Sequence, residues 1–209
     1  MQISAPYYRL KGGLIMKLED LFSYTIPEAF DTAVSIMKEK NNRRSEGKKL
    51  NMSAFKLNKD EGIWIGFFKH KESSVNRVEN AREVARMSQL CEGYGIDFCL
   101  NTLNSIDDVS WQSFSKTYPE FKDVTDENVR IFIYVMLGIF HELQHVWQAE
   151  IQLQLYKTDW RTAYYLEEKE QGGYWKNRFE IGAYNFETNA LPLIRKYVID
   201  GKFVDSIVA

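Results

Sequence analysis

Cysteine is scarce in this sequence. The 209 residues hold two, Cys91 and Cys99, and the stretch between them is no zinc knuckle, CxxC redox pair or disulfide framework. Two reduced, partly buried thiols are the expectation, as in a cytoplasmic protein. An excess of charge of one sign is also missing. Lys and Arg number 27 against 29 Asp and Glu, a formal net charge of −2, so no overall field selects nucleic acid or an anionic membrane. Long hydrophobic runs are absent as well. The most apolar run, Ile131 to Phe140, is half of what a membrane span needs. Met1 to Met16 lacks the uninterrupted apolar stretch of a signal peptide. The expectation is a soluble, cytoplasmic protein with neither a membrane nor a nucleic-acid partner. Histidine is rare too, with three in the chain.

What the chain does have is 44% hydrophobic and 14% aromatic residues, enough for one domain with a real core. That domain is taken as residues 1–209, with 1–16 either disordered or upstream of a true start at Met16. Phe30, Ala33, Val34 and Met37 recur at helical spacing and predict a helix from Pro27 to about Lys40. The polar Asn41 to Lys49 reads as a solvated helix end and loop, its basic residues included. Met52 to Leu57 and Gly62 to Phe68 predict a hairpin around Asn58-Lys59-Asp60-Glu61. Ser74 to Leu90 carries helical spacing, stopped by Gly93 and Gly95. Ile96 to Leu103 predicts a third strand, and Ser105 to Pro119 an irregular stretch or short helix. Thr125 is the expected cap of a long helix from Asp126 to Leu155, whose first part is apolar all round and so belongs in the core. Thr158 is the expected cap of a shorter helix, Asp159 to Glu170. After the Gly172-Gly173 break, Tyr174 to Tyr197 predicts a last helix, interrupted near Pro192. The fold class is α+β, with a small sheet of about three strands packed on the long helix and the C-terminal helix.

Two of the three histidines sit on the long helix, in His141-Glu142-Leu143-Gln144-His145. Four residues apart on a helix, both imidazoles project from one face and can bind one tetrahedral zinc. Glu142 beside them reaches a water on the metal and serves as general base, the HExxH arrangement. Catalytic zinc takes three protein ligands and keeps one position open. His70, in a polar stretch at a strand end, is a poor third ligand. A carboxylate from the last helix is better: Glu180, Ala183, Tyr184 and Glu187 form one stripe, and glutamates among apolar neighbours require a partner. Ala183 is small enough to let the two helices approach closely. Glu187 is either a ligand itself, an acceptor for a ligand imidazole N–H, or a salt-bridge partner.

HELQH followed by Glu180-Ile181-Gly182-Ala183-Tyr184-Asn185-Phe186-Glu187 and Ala190-Leu191-Pro192 resembles the zincin metallopeptidases of the gluzincin kind. It looks closest to the small ImmA/IrrE-like group, whose helix reads roughly E-x-x-A-N-x-F-A-x-x-L-L-x-P. Tyr184 stands where that group often has Asn or Asp, and Glu187 where it has a small residue. The resemblance implies a zincin-like domain with Zn2+ held by His141, His145 and Glu180.

Two functions follow as expectations. The first is hydrolysis of a peptide bond in a protein or peptide substrate, with Glu142 as base and a tyrosine, Tyr184 first among Tyr174, Tyr164 and Tyr165, stabilising the oxyanion. Ile96 to Leu103 would be the edge strand that lays out the substrate, with Leu103 to Asp108 lining its exit. The second is a catalytically silent zinc-binding interaction module. An open cleft at the metal distinguishes the first from the second.

Overall fold

A computed structural model of the chain describes residues 7–9, 15–17, 25–58, 62–68, 85–90, 93–103 and 108–198. Within the first sixteen residues and just beyond, β1 (Tyr7–Arg9) and β2 (Ile15–Lys17) pair antiparallel, Tyr8 opposite Met16. The first helix, α1 (Thr25–Asn42), buries Ala29, Phe30, Ala33, Val34 and Met37, the stripe its periodicity predicts. Two short 3-10 turns follow, Glu46–Lys48 and Met52–Ala54. The basic residues here serve the fold: Arg43 pairs with Glu39, and the Arg44 guanidinium lies over the Trp147 ring.

The sheet has three strands: β3 (Ile63–Phe68), β4 (Ala85–Leu90) and β5 (Gly93–Cys99), in the order β3-β5-β4. Three expectations are corrected here. Met52 to Leu57 is no strand of a hairpin, because Met52–Ala54 is a 3-10 turn and β3 pairs instead with β5, parallel. Ala85 to Leu90, expected at the end of a helix, is a strand antiparallel to β5; residues 74–84 of that expected helix lie outside the described residues. The strand near Ile96 is the central one, not an edge, and it stops at Cys99, where α2 (Leu100–Leu103) begins. Its burial explains the position: Tyr94, Gly95, Ile96, Phe98 and Cys99 are all buried, the mark of a strand covered on both faces. Leu103 packs in the core and lines no exit, and residues 104–107 are not described. Cys99 is a free, buried thiol; Cys91 lies outside the described residues.

After α3 (Asp108–Thr117) comes the long α4 (Glu127–Ile151), continued by a π-helical turn, Gln152–Tyr156. Its cap is Asp126, whose carboxylate accepts the Val129 N–H at 3.1 Å, rather than Thr125. By length and composition Val129–Tyr156 would cross a membrane, but 83% of its apolar window is buried inside the protein. α1 covers one side of it, β4 and β5 another, and the C-terminal helices a third. α5 (Trp160–Gln171) is capped by Asp159, not Thr158, and ends on Gly172 at φ 78°, a left-handed position where glycine carries no steric penalty. The last segment is three pieces rather than one helix: a 3-10 turn Tyr174–Lys176, then α6 (Arg178–Glu187), and, after a second turn, α7 (Leu191–Val198). The small sheet and the C-terminal helices thus clasp α4 around its middle.

Candidate metal centre

His141, Glu142 and His145 sit where α4 leaves its wholly apolar half, and all three are buried. The 3.6-residue period turns both imidazoles to α6. Asn177, fully buried, caps α6 by accepting the Phe179 N–H at 3.0 Å, and this starts the helix so that Glu180 falls in its first turn. Ala183, with no exposed surface, lies one turn on, between the two helices. Glu180 is 4% exposed.

The three side chains converge. His141 Nε2 and His145 Nε2 stand 3.2 Å apart. Glu180 Oε2 is 3.4 Å from His141 Nε2, and Oε1 is 3.4 Å from His145 Nε2. Tetrahedral donors about 2.05 Å from an ion stand about 3.3 Å from one another, so these separations fit a single small cation. Ligand atoms of these three residues all lie within 4.8 Å of each other.

The far sides of the imidazoles explain why it is the Nε2 atoms, and not Nδ1, that are turned to the centre. His141 Nδ1 is 3.0 Å from Glu187 Oε2; a carboxylate only accepts, so Nδ1 carries the proton. Glu187 is itself fixed by the Tyr118 hydroxyl, which donates to Oε1 at 2.6 Å. His145 Nδ1 is 2.9 Å from Gln148 Oε1. The Gln148 amide is oriented by its other end, which donates to the Phe179 carbonyl at 2.8 Å, so its oxygen faces His145. Partners of this kind set the tautomer and strengthen the imidazole as a ligand. On Glu180, Oε1 accepts from the Tyr164 hydroxyl at 2.6 Å. Oε2 is buried without a hydrogen-bond partner among the described residues. A buried, orphaned carboxylate oxygen is costly, and a cation between it and the two imidazoles satisfies it.

The electrostatics agree. Burial alone would lower the His141 pKa, but the carboxylates of Glu180 and Glu187 beside it and the charge of Glu142 outweigh it and hold the imidazole well above its usual range. Burial would raise Glu180, yet the imidazoles and Tyr164 hold its carboxyl well below the carboxylate range. Such a field favours positive charge at the point where the three meet. Glu142 goes the other way: burial raises it, opposed by both imidazoles, while the Met87 backbone N–H donates to its carboxylate.

These residues form part of the wall of a cavity of about 1410 Å³. Ala85, Arg86 and Met87 of β4 line one side of it, and Trp160, Tyr164 and Tyr165 of α5 another. The strand beside the site is therefore β4, which pairs on one edge only among the described residues. Tyr184 also lines the cavity, its ring 4.8 Å from that of His141, with its hydroxyl against Tyr174. Trp175 is stacked on Tyr184 at 5.7 Å and is 75% exposed.

The predicted site residues thus come together, apart from His70, which lies outside the described residues. Gln148, Tyr118 and Met87 were not foreseen. Gln148, three residues after His145 on the same helix, carried a legible signal. Tyr118 is 69 residues from Glu187, and Met87 reaches Glu142 from the strand packed against α4, so neither left a local trace. Compared with family models, curated proteins and solved structures, the chain matches none.

Proposed function

We propose that this chain is a zinc-dependent metallopeptidase, with His141, His145 and Glu180 as the metal ligands and Glu142 as the general base. One observation carries the reading: two imidazole Nε2 atoms and an orphaned carboxylate oxygen meet beside a buried glutamate, on the wall of a cavity open to a large ligand. Two histidines and one carboxylate suit zinc among the divalent ions. A zinc ion there supplies Lewis acidity, polarising a carbonyl and lowering the pKa of water towards about 7.

The chain's own residues do the rest. Glu142 takes a proton from the attacking water and returns it to the amine nitrogen as the C–N bond breaks. Its raised pKa suits a group that must accept a proton and then give it up. Tyr184, whose ring packs against His141 in the cavity wall, is the donor to the oxyanion. The substrate is a protein or peptide in the cytoplasm, laid as an extended segment along the outer edge of β4. The Met87 N–H, which turns to Glu142, supports that edge as the one facing the chemistry. The open cavity favours turnover over a silent binding module.

The test begins with metal content per chain, measured on protein purified without added metal, for wild type and Glu180→Ala. One zinc in the wild type and much less in the variant is expected. Zinc-loaded wild type should then cleave members of a mixed peptide library, with Glu142→Gln inactive. A wild type that takes up no metal removes the basis of the reading. Metal uptake without cleavage of any peptide sinks the peptidase and leaves the metal centre.

A further inference from the structure

The two oxygens of Glu180 are almost equally placed to bind a cation. Each lies 3.4 Å from one imidazole Nε2, Oε1 from that of His145 and Oε2 from that of His141. A carboxylate so placed can bind through one oxygen or chelate through both, and the choice sets how many positions remain for other ligands. What distinguishes the two oxygens is their other contacts. Oε1 accepts a 2.6 Å hydrogen bond from the Tyr164 hydroxyl, whereas Oε2 is buried with no hydrogen-bond partner among the described residues.

We propose that Tyr164 is a positioning residue that makes Glu180 a one-oxygen ligand, occupying Oε1 so that the metal takes Oε2 and a fourth position stays open. A short hydroxyl-to-carboxylate bond withdraws electron density from the oxygen it occupies and anchors it against rotation towards the ion. The residue that carries the hydroxyl is held from several sides. The Tyr164 ring lies 5.5 Å from Trp160 and is stacked on Phe179 at 6.2 Å. The Tyr164 carbonyl accepts from Asn177, the residue that caps the helix carrying Glu180. Tyr164 and Glu180 are therefore tied together twice, once through the backbone and once through the side chains. α5 thereby does more than fill the interval between the two ligand-bearing helices, because it presents the group that orients the third ligand.

The inference rests on the metal centre but not on peptidase activity, so its test uses the metal alone. The full chain and its Tyr164→Phe variant, which keeps the ring and removes only the hydroxyl, are titrated with cobalt(II) and with zinc. Wild type should show the intense visible absorption of a low-coordinate cobalt site. The variant should bind about 10- to 100-fold more weakly and show a weaker band, as Glu180 turns to chelate through both oxygens and the coordination number rises. Zinc X-ray absorption on both proteins counts the oxygen neighbours directly, and circular dichroism establishes that the variant is folded. If Tyr164→Phe does not fold, Tyr164→Leu and Tyr164→Gln are titrated in the same way.

Equal affinity and an identical spectrum in the variant overturn the proposal while the metal centre stands. Weaker binding with an unchanged band and unchanged oxygen count also overturns it, since the hydroxyl then only steadies the carboxylate. A wild type that takes up neither ion overturns the metal centre and this inference together.

Discussion

Glu142 is the residue at which stability and chemistry pull apart. It is buried beside the Glu180 carboxylate, and burial raises its pKa against the pull of both imidazoles. A raised carboxyl leaves stability intact below its unfolded value, about 4.3, and removes stability as pH rises through the folded value. Glu142→Gln should therefore be more stable than wild type with metal chelated. The gain in Tm should be near zero at about pH 4.3 and grow towards pH 7–8, reaching about 2–4 °C if the relief is about 1 kcal/mol. Thermal melts of both proteins in chelator across that range test this, and a variant less stable than wild type at neutral pH refutes it. In the zinc form the proposed activity should be lost as pH falls far enough to protonate Glu142, at a pH below that of the metal-free protein because the ion's charge favours the carboxylate. His141 shows the complementary case: its Nδ1 partner Glu187 was legible as one of three alternatives for that carboxylate, and the contact selects one of them.

At the scale of elements, the centre depends on how closely α4 and α6 approach. The sequence pointed to Ala183 as the small residue at this seam, and Gly182 beside it turns out to be the tighter spot. A Cβ at Gly182 would stand 2.8 Å from Gln148 Nε2, the end of a flexible side chain that can give way. Gly182→Ala should then leave stability within about 1 kcal/mol of wild type, since alanine favours the helix by about that amount. Its metal affinity should fall about 10-fold or more, because the displaced amide no longer holds His145 Nδ1. Calorimetric zinc titration beside a denaturant melt separates the two effects; full affinity with lost stability would reverse the assignment. Ala85 to Leu90 carries helical spacing, yet it pairs with β5, because long-range strand pairing overrides a weak local preference. On the other edge of β5, Gly93 allows the parallel pairing with β3 at close quarters: a Cβ there would stand 2.2 Å from the Gly62 carbonyl oxygen.

At the scale of the whole molecule, a metal at this centre would couple its binding to folding. The ligands come from α4 and α6, 35 residues apart between His145 and Glu180, and the groups that orient them come from α4 itself, α5, α6 and the segment before α4. A cation joining them would stabilise the fold by RT ln(1 + [L]/Kd), about 4 kcal/mol at a thousandfold excess over Kd. For a chain of this size that is roughly 10 °C. Zinc should raise Tm by that order and a chelator should reverse it, as followed by circular dichroism. A Tm indifferent to zinc at saturating concentration would show that the ion does not bind the folded chain.

The sequence by itself determined the α+β class, the buried helix, the two imidazoles on one face of it and the carboxylate stripe that answers them. Those are periodic or short-range features, written in neighbouring residues and needing only the geometry of a helix to be read. Tertiary structure alone decided that β5 is central and β4 lies beside the site, that Tyr118 fixes Glu187, and that Tyr164 holds one oxygen of Glu180. These contacts join residues distant in sequence, or depend on the packing of α5 against α6, and such contacts leave no periodicity in the chain. They arise from the one arrangement that buries the apolar faces together, and that arrangement is a property of the whole fold.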